Sequence, residues 1–298
     1  MRQGLETFAA PAKLNLFLHV IGRRPDGYHL LQTAFVLVDW CDDLSFAVRA
    51  DGCIVRQTPF DDVPEDQDLC VRAARLLQAH TNCSFGADIY LNKNLPMGGG
   101  LGGGSSDAAT TLVALNAMWR TGLSAQQLQQ LGLQLGADVP FFIFGRPAFA
   151  QGIGEVFEPL EVPQAWYVIV HPGVHVPTNK IFMAEDLTRN TKPIKISDFA
   201  IHTTRNDLQP VVMARYRAVS EAMGWLAQYG LARMTGSGAC VFAQVTSEEQ
   251  ADAIVNACPE VWLAKKARGL SRHPLYHLAH SSKTDFLGSR QVGQGTGF

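Results

Sequence analysis

The sequence predicts an α+β fold arranged as two domains. Its 298 residues are 47% hydrophobic, and this length favours one large or two medium domains with a sizeable core. Strand-like and helix-like segments alternate in the first half, and a strand, helix and strand follow two prolines in the second half. We place an N-terminal domain at 1–158, a C-terminal domain at 159–280 and a disordered tail at 281–298, where periodicity is lost.

Strands dominate the start of the N-terminal half. Runs rich in Val, Leu and Phe predict strands at 13–21, 33–40, 43–49 and 87–91. Residues 69–80 carry apolar side chains at helical spacing, with arginines on the opposite face, and predict an amphipathic helix.

A second helix is predicted from a capping box. Ser124 and Gln127 have the spacing that satisfies two free amides at a helix start, and Gly136 has the position of a helix end. A turn at Pro140 then leads into the apolar run 141–144, which we interpret as a strand.

The C-terminal half has its own alternation. Its predicted elements, in order, are a strand at 166–171, a helix at 211–229, a turn at 235–238, a strand at 239–245, a helix beginning with a Ser247–Gln250 capping box and a strand at 261–266. Antiparallel strands with intervening helices predict a ferredoxin-like α/β layer.

The most informative segment is a glycine-rich loop. Six of the seven residues 98–104 are glycine, and Ser105, Ser106 and Asp107 follow directly. Ordered glycine is entropically costly, so such a run indicates amides that wrap around a bound group. The three polar residues offer N-cap chemistry for a helix predicted at 108–119. A loop that enters a helix N-terminus suits phosphate, although a flexible linker is the alternative interpretation.

Two better-known glycine motifs fit poorly. A P-loop requires a Gly-Lys pair, which is absent from the sequence. Gly98, Gly100 and Gly103 satisfy the dinucleotide pattern, which would make the protein an NAD-dependent oxidoreductase. However, six residues separate the predicted strand from the first glycine, and 116–124 contain no acidic residue.

Composition excludes several partners. The net charge is −2 and no run of Lys and Arg exceeds two, so neither nucleic acid nor an anionic membrane is an expected partner. The apolar runs are strand-sized, and the N-terminal residues lack a signal-peptide pattern. The six cysteines have no metal-ligand or disulfide spacing, which predicts reduced thiols and a cytoplasmic protein.

Four residues outside the loop are candidates for a chemical role. Lys13 lies in an apolar strand pattern, where a buried lysine would need a carboxylate or phosphate partner; a solvated edge-strand lysine is the alternative. Asp138 lies in a region of low charge, where a turn or capping role is the alternative. Tyr28 and His29 can stack on a base and read its polar edge, and they also follow a predicted turn.

Five blocks of the sequence resemble the galactokinase, homoserine kinase, mevalonate kinase and phosphomevalonate kinase (GHMP) superfamily. They are 11–18 (PAKLNLFL), 26–29 (DGYH), 95–109 (LPMGGGLGGGSSDAA), 135–140 (LGADVP) and 235–243 (TGSGACVFA). The resemblance spans about residues 10 to 270. It implies a two-domain GHMP-kinase fold, with a left-handed β-α-β ATP loop in a mixed N-terminal domain and a ferredoxin-like C-terminal domain.

The resemblance also implies site residues, with ATP and Mg²⁺ as the cofactors. The resemblance makes Lys13 and Asp138 the catalytic pair. The carboxylate of Asp138 would accept the proton of the acceptor hydroxyl, and Lys13 would keep that carboxylate charged. The implied ATP-binding residues are Lys93, Pro96, Met97, Gly98, Gly99, Gly100, Leu101, Gly102, Gly103, Gly104, Ser105 and Ser106, with Ser106 also a candidate for contact with the metal. The implied substrate-binding residues are Asn15, Tyr28, His29, Thr178 and Phe182.

The implied acceptor is a small alcohol linked to cytidine diphosphate, with cytosine between Tyr28 and Phe182. One departure concerns Asp68, where relatives usually carry Asn, because a carboxylate cannot donate to adenine as an amide can. A homoserine or mevalonate type of kinase and a non-catalytic nucleotide-binding module are the alternatives. We expect a monomer or a weak homodimer.

Overall fold

The computed structural model describes residues 5–59 and 63–280. The predicted disordered tail at 281–298 lies outside these residues. The strands are β1 (Glu6–Arg23), β2 (His29–Arg49), β3 (Ile54–Arg56), β4 (Gly86–Asn92), β5 (Ala148–Gln151), β6 (Val156–Pro159), β7 (Trp166–His171), β8 (Ala232–Met234), β9 (Val241–Val245) and β10 (Leu263–Leu270). The helices are α1 (Leu69–Thr81), α2 (Gly103–Met118), α3 (Ala125–Leu135), α4 (Val139–Phe144), α5 (Thr178–Phe182), α6 (Gln209–Arg215), α7 (Arg217–Leu226), α8 (Glu248–Asn256) and α9 (Tyr276–His280), with a 3₁₀ turn at Ile196–Asp198.

A long antiparallel hairpin organises the sheet. β1 pairs with β2 along nearly its whole length, and three register shifts bend the pair. The two strands predicted at 33–40 and 43–49 are one continuous strand, β2. β2 also pairs with β4, β5 and β10, so it joins the N-terminal half to the C-terminal half. The main path of the sheet runs β3-β4-β2-β10-β7-β9-β8.

Helices α1 to α4 cover the N-terminal part of this sheet around a core that includes Phe46, Leu77, Leu112 and Phe141. The predicted α1 and the predicted capping box of α3 are present. Gly136 ends α3, but with extended rather than left-handed backbone.

The strand predicted at 141–144 is wrong, because this run is helix α4. Pro140 lies in the first turn of that helix, where its fixed φ favours helix and its missing amide costs nothing. Phe141, Phe142 and Ile143 are all buried, and such a continuous apolar run fits a buried helix as well as a buried strand.

The C-terminal half is an antiparallel layer, β10-β7-β9-β8, packed against helices that include α6, α7 and α8. The single helix predicted at 211–229 is wrong. Tyr216 adopts an extended conformation and separates α6 from α7, while its side chain packs on the core. Tertiary packing has overridden a continuous helical pattern here. Among the described helices, none is long and apolar enough to cross a membrane.

Candidate active site

A cavity of about 970 Å³ lies between the two halves of the chain. Every site residue proposed from the sequence lines it except Ser106, which is fully buried beside it in helix α2. The lining also includes Gly236 and Ser237 from the turn before β9. The structure therefore brings the sequence blocks together, while the individual roles of the residues stay predictions.

The glycine loop is pressed against the C-terminal half. The carbonyl oxygens of Gly98 and Gly99 accept hydrogen bonds from the amides of Ala239 and Cys240, at 3.2 and 3.0 Å. A Cβ atom built on Gly100, which has a φ of +75°, would lie 2.2 Å from the carbonyl oxygen of Thr235. The loop is thus rich in glycine because its backbone packs directly on another backbone, in addition to any ligand it binds.

Helix α2 begins earlier than predicted. Its N-cap is Gly102, in a left-handed conformation with no side-chain cap, so the predicted capping role of Ser105, Ser106 and Asp107 is wrong. The amide of Ser106 already bonds to the carbonyl of Gly102. The amides just before it in the first turn have no intrahelical partner, which leaves them and the positive end of the helix for an anion.

Lys13 and Asp138 meet across the cavity. Their Nζ and Oδ2 atoms are 3.7 Å apart, with the lysine side chain 4% exposed and the aspartate side chain 37% exposed. Burial lowers the pKa of Lys13, while the charge of Asp138 and a hydrogen bond to it act in the opposite direction. Lys13 is therefore not a solvated edge lysine. Asp138 precedes α4 without capping it, so its carboxylate is free to face the cavity.

Asn15 connects this pair to the C-terminal half. It lies two residues after Lys13 on β1, so both side chains point to the same face. Its Oδ1 accepts from the Lys13 Nζ at 2.5 Å and from the amide of Gly236 at 2.9 Å. The side-chain amide of Asn206 in turn donates to the carbonyls of Met234 and Gly236, both at 2.8 Å. Asn206 was not predicted from the sequence, because it follows a polar loop without any motif.

Lys93 lies under the loop in a network of carboxylates. It forms ion pairs with Asp42 and, at 2.9 Å, with Asp107. Burial tends to lower the pKa of Lys93, but the two carboxylates outweigh it and raise that pKa. Burial raises the pKa of Asp107 to about 7, against the opposing effect of Lys93. The role of Asp42 was missed because nothing local distinguishes it from its acidic neighbour Asp43.

The raised pKa of Asp107 predicts a pH dependence of stability. The folded protein binds the carboxyl proton of Asp107 more tightly than the unfolded chain does. The stability that this proton contributes is therefore complete below about pH 4 and is lost as the pH rises to about 7. When the pH is raised from 5 to 8, we expect the unsubstituted protein to lose about 2 kcal/mol more unfolding free energy than Asp107→Asn, which has no carboxyl group to titrate. Urea denaturation of both proteins without ligands at the two pH values measures this difference; equal losses in both would contradict the prediction.

The other predicted substrate residues, Tyr28, His29, Thr178 and Phe182, also line the cavity. The ring of His29 lies 5.1 Å from that of Phe182, centroid to centroid, and is 7% exposed. Tyr28 is 60% exposed at the rim. The hydroxyls of Thr178 and Ser237 are hydrogen-bonded at 2.7 Å.

Arg189 was also missed by the sequence analysis. Its Nε donates to the Nε2 of His29 at 3.1 Å. It is a single arginine in an irregular segment, 160 residues from its partner, so no sequence pattern announces the contact.

Asp68 is the N-cap of α1. Its Oδ1 accepts from the amides of Cys70 and Val71, and its Oδ2 forms an ion pair with Arg56 at 3.1 Å. Its carboxylate therefore caps a helix, as Asn could also do, and the ion pair with Arg56 is the contact that uses its negative charge.

The fold and this site define a class of protein. Family models for the GHMP kinases N terminal domain and the GHMP kinases C terminal domain match residues 68–146 and 183–264. The 4-diphosphocytidyl-2-C-methyl-D-erythritol kinase of Aromatoleum aromaticum is 65% identical over 266 residues, which cover 89% of this chain and 94% of the relative. The enzyme of the same name from Azoarcus sp. strain BH72 is 64% identical, with coverages of 90% and 95%. The chain therefore belongs to the 4-diphosphocytidyl-2-C-methyl-D-erythritol kinase family.

Solved structures agree with this membership. The crystal structure of a 4-(cytidine 5'-diphospho)-2C-methyl-D-erythritol kinase superposes with a TM-score of 0.77 at 32% identity, covering 89% of this chain and 100% of the other. A mevalonate kinase superposes with a TM-score of 0.65 at 14% identity, covering 90% and 100%, and shows the shared fold alone.

Proposed function

We propose that the protein transfers the γ-phosphoryl group of ATP to the 2-hydroxyl of 4-diphosphocytidyl-2-C-methyl-D-erythritol, giving the 2-phosphate and ADP in non-mevalonate isoprenoid biosynthesis. The observation that carries this proposal is the Lys13–Asp138 pair, which faces the glycine loop across one cavity. Membership of the kinase family supports ATP as the donor.

Phosphoryl transfer depends mainly on positioning and charge stabilisation. In the proposed mechanism, the amides at the start of α2 bind the phosphates of ATP. The carboxylate of Asp138 accepts the proton of the acceptor hydroxyl. The ammonium of Lys13 stabilises the negative charge of the transferring group, and Asn15 fixes its position through the 2.5 Å hydrogen bond.

Mg²⁺ is the proposed metal. The described residues contain no cluster of three or more His, Cys, Asp or Glu able to cage an ion. The Ser106 Oγ and the Asp107 Oδ1 are buried and have no hydrogen-bond partner in the described part of the chain. Oxygen donors at the phosphate end of the loop fit Mg²⁺ that arrives with ATP and neutralises its β and γ oxygens.

The two bases occupy different ends of the cavity in this proposal. Cytosine stacks between Tyr28 and Phe182, with His29 on its polar edge and Asn15 and Thr178 near the rest of the acceptor. Lys93 lies on the adenine side. An ammonium has three donors, and Asp42 and Asp107 engage two of them, which leaves one for the nucleotide.

Incubation of the purified protein with Mg-ATP and the cytidylyl acceptor tests this function. We expect ADP and a phosphorylated acceptor in equal amounts, and neither with homoserine or mevalonate. Preference for one of those alcohols would assign the protein to another branch of the superfamily. ATP binding without ADP formation would indicate a non-catalytic module.

We propose a cytoplasmic monomer or weak homodimer. The six cysteines are all free, which supports a reducing compartment. Sedimentation of the purified protein measures the oligomeric state. The domain boundary between residues 158 and 159 stays a prediction.

A further inference from the structure

Arg189 is held in place by three main-chain carbonyls. Its guanidinium donates to the carbonyl oxygens of Leu187, Phe182 and Ala184, at 3.2, 3.0 and 2.6 Å. With its position fixed in this way, the Nε–H is directed at the Nε2 of His29, 3.1 Å away. Arg189 thus touches both the imidazole and the backbone of the neighbouring aromatic residue.

This contact determines which nitrogen of His29 carries the proton. A guanidinium can only donate, so the Nε2 of His29 must accept, and a neutral imidazole then carries its proton on Nδ1. Burial lowers the pKa of His29, and the positive charges of Arg189 and Arg23 lower it further, so the ring is neutral at neutral pH. The Nδ1 atom has no hydrogen-bond partner among the described residues, and the ring of His29 lines the cavity, so Nδ1–H is available to a ligand.

We propose that Arg189 is a positioning residue that fixes His29 as a hydrogen-bond donor toward the base, and so makes the site select cytosine over uracil. This rests on the proposed function. N3 of cytosine is an acceptor and pairs with the Nδ1–H, whereas N3 of uracil carries a hydrogen and would face it donor to donor. An imidazole free to exchange tautomers could accept from uracil instead, and the contact with Arg189 prevents that exchange.

A comparison of two acceptors tests the proposal. We expect the unsubstituted enzyme to prefer the cytidine diphosphate-linked alcohol to its uridine diphosphate-linked analogue, as a ratio of kcat/KM values. Arg189→Met should reduce this preference by about tenfold or more. Without Arg189 the imidazole of His29 can change tautomer and accept from N3 of uracil, so the two donors no longer face each other. Arg217→Met is the matched control, since Arg217 lies on the surface in an ion pair with Glu221 and is 91% exposed. An unchanged preference in Arg189→Met would overturn the proposal.

A second measurement needs neither a variant of Arg189 nor turnover. Nitrogen-15 NMR of the histidine rings in the free protein should show His29 neutral at pH 7 with the proton on Nδ1; its signals are assigned by their loss in His29→Asn. A proton on Nε2 would overturn the proposal even if Arg189→Met does not fold. If the unsubstituted protein fails to phosphorylate the cytidylyl acceptor, the proposed function is wrong instead. If it uses both acceptors equally, the function stands and the role of Arg189 is wrong.

Discussion

Asp138→Asn is expected to lower kcat by roughly 10²- to 10⁴-fold, the range lost when a general base is removed. The carboxamide has nearly the same shape as the carboxylate, but it cannot take the proton of the acceptor hydroxyl. Asp138 makes no capping bond, so the structural contact that this substitution removes is the ion pair with Lys13, and thermal unfolding shows whether the variant remains folded. Initial rates of ADP formation at saturating ATP and acceptor measure the effect, and KM should change little.

A matched substitution separates this loss from a general effect of removing an acidic side chain. Asp252 is 49% exposed, pairs with Lys266 on the C-terminal layer and is not among the residues that line the cavity. Asp252→Asn should keep kcat within about twofold, since exposed ion pairs contribute little to stability. If Asp138→Asn retains more than about a tenth of kcat, Asp138 is not the base.

Features encoded by neighbouring residues could be predicted from the sequence. The capping box of Ser124 and Gln127 is formed by residues three apart, and the structure contains both of its hydrogen bonds. The alternation of a strand also explains why Lys13 and Asn15 meet on one face of β1. The site motifs are short blocks of this kind, so their residues could be named even though the cavity that joins them could not be described.

Features that depend on distant packing could not be predicted. All four residues of the run 141–144 are apolar, so its pattern fits a buried strand as well as a buried helix. Its helical conformation depends on packing against α2, α3 and the sheet. Tyr216 interrupts a helical pattern without any Gly or Pro signal, because its side chain packs on the C-terminal core. Arg189 and Asn206 act through contacts with residues far away in the sequence, and a single sequence contains no record of such pairs.

The glycine loop combines both kinds of information. Its glycine content predicted that the loop backbone closely approaches another group, and the sequence suggested a bound ligand as that group. The structure adds the turn at 235–238, against which the loop packs directly. The loop, the turn, Asn15 and Lys13 are joined by hydrogen bonds, so a shift of the loop would also displace the catalytic lysine.

Gly100→Ala is therefore expected to reduce kcat/KM for ATP by about 100-fold, the loss that follows a displacement of roughly 1 Å in an active site. The added Cβ would lie 2.2 Å from the carbonyl oxygen of Thr235, and a φ of +75° is itself unfavourable for alanine. Both backbones must move, and the bond from the amide of Lys13 to the carbonyl of Leu101 transmits the movement to the lysine. Steady-state rates over a range of ATP concentrations measure the loss.

Gly224→Ala is the matched control for this substitution. Gly224 lies inside helix α7, and an added Cβ would meet no atom within 4 Å. Because alanine is more favourable than glycine in a helix interior, the unfolding free energy of this variant should be about 0.5–1 kcal/mol higher, and its activity should be unchanged. Thermal unfolding shows whether Gly100→Ala remains folded. If the folded Gly100→Ala protein matches Gly224→Ala in kcat/KM for ATP, the position of the loop does not control phosphate binding or the placement of Lys13.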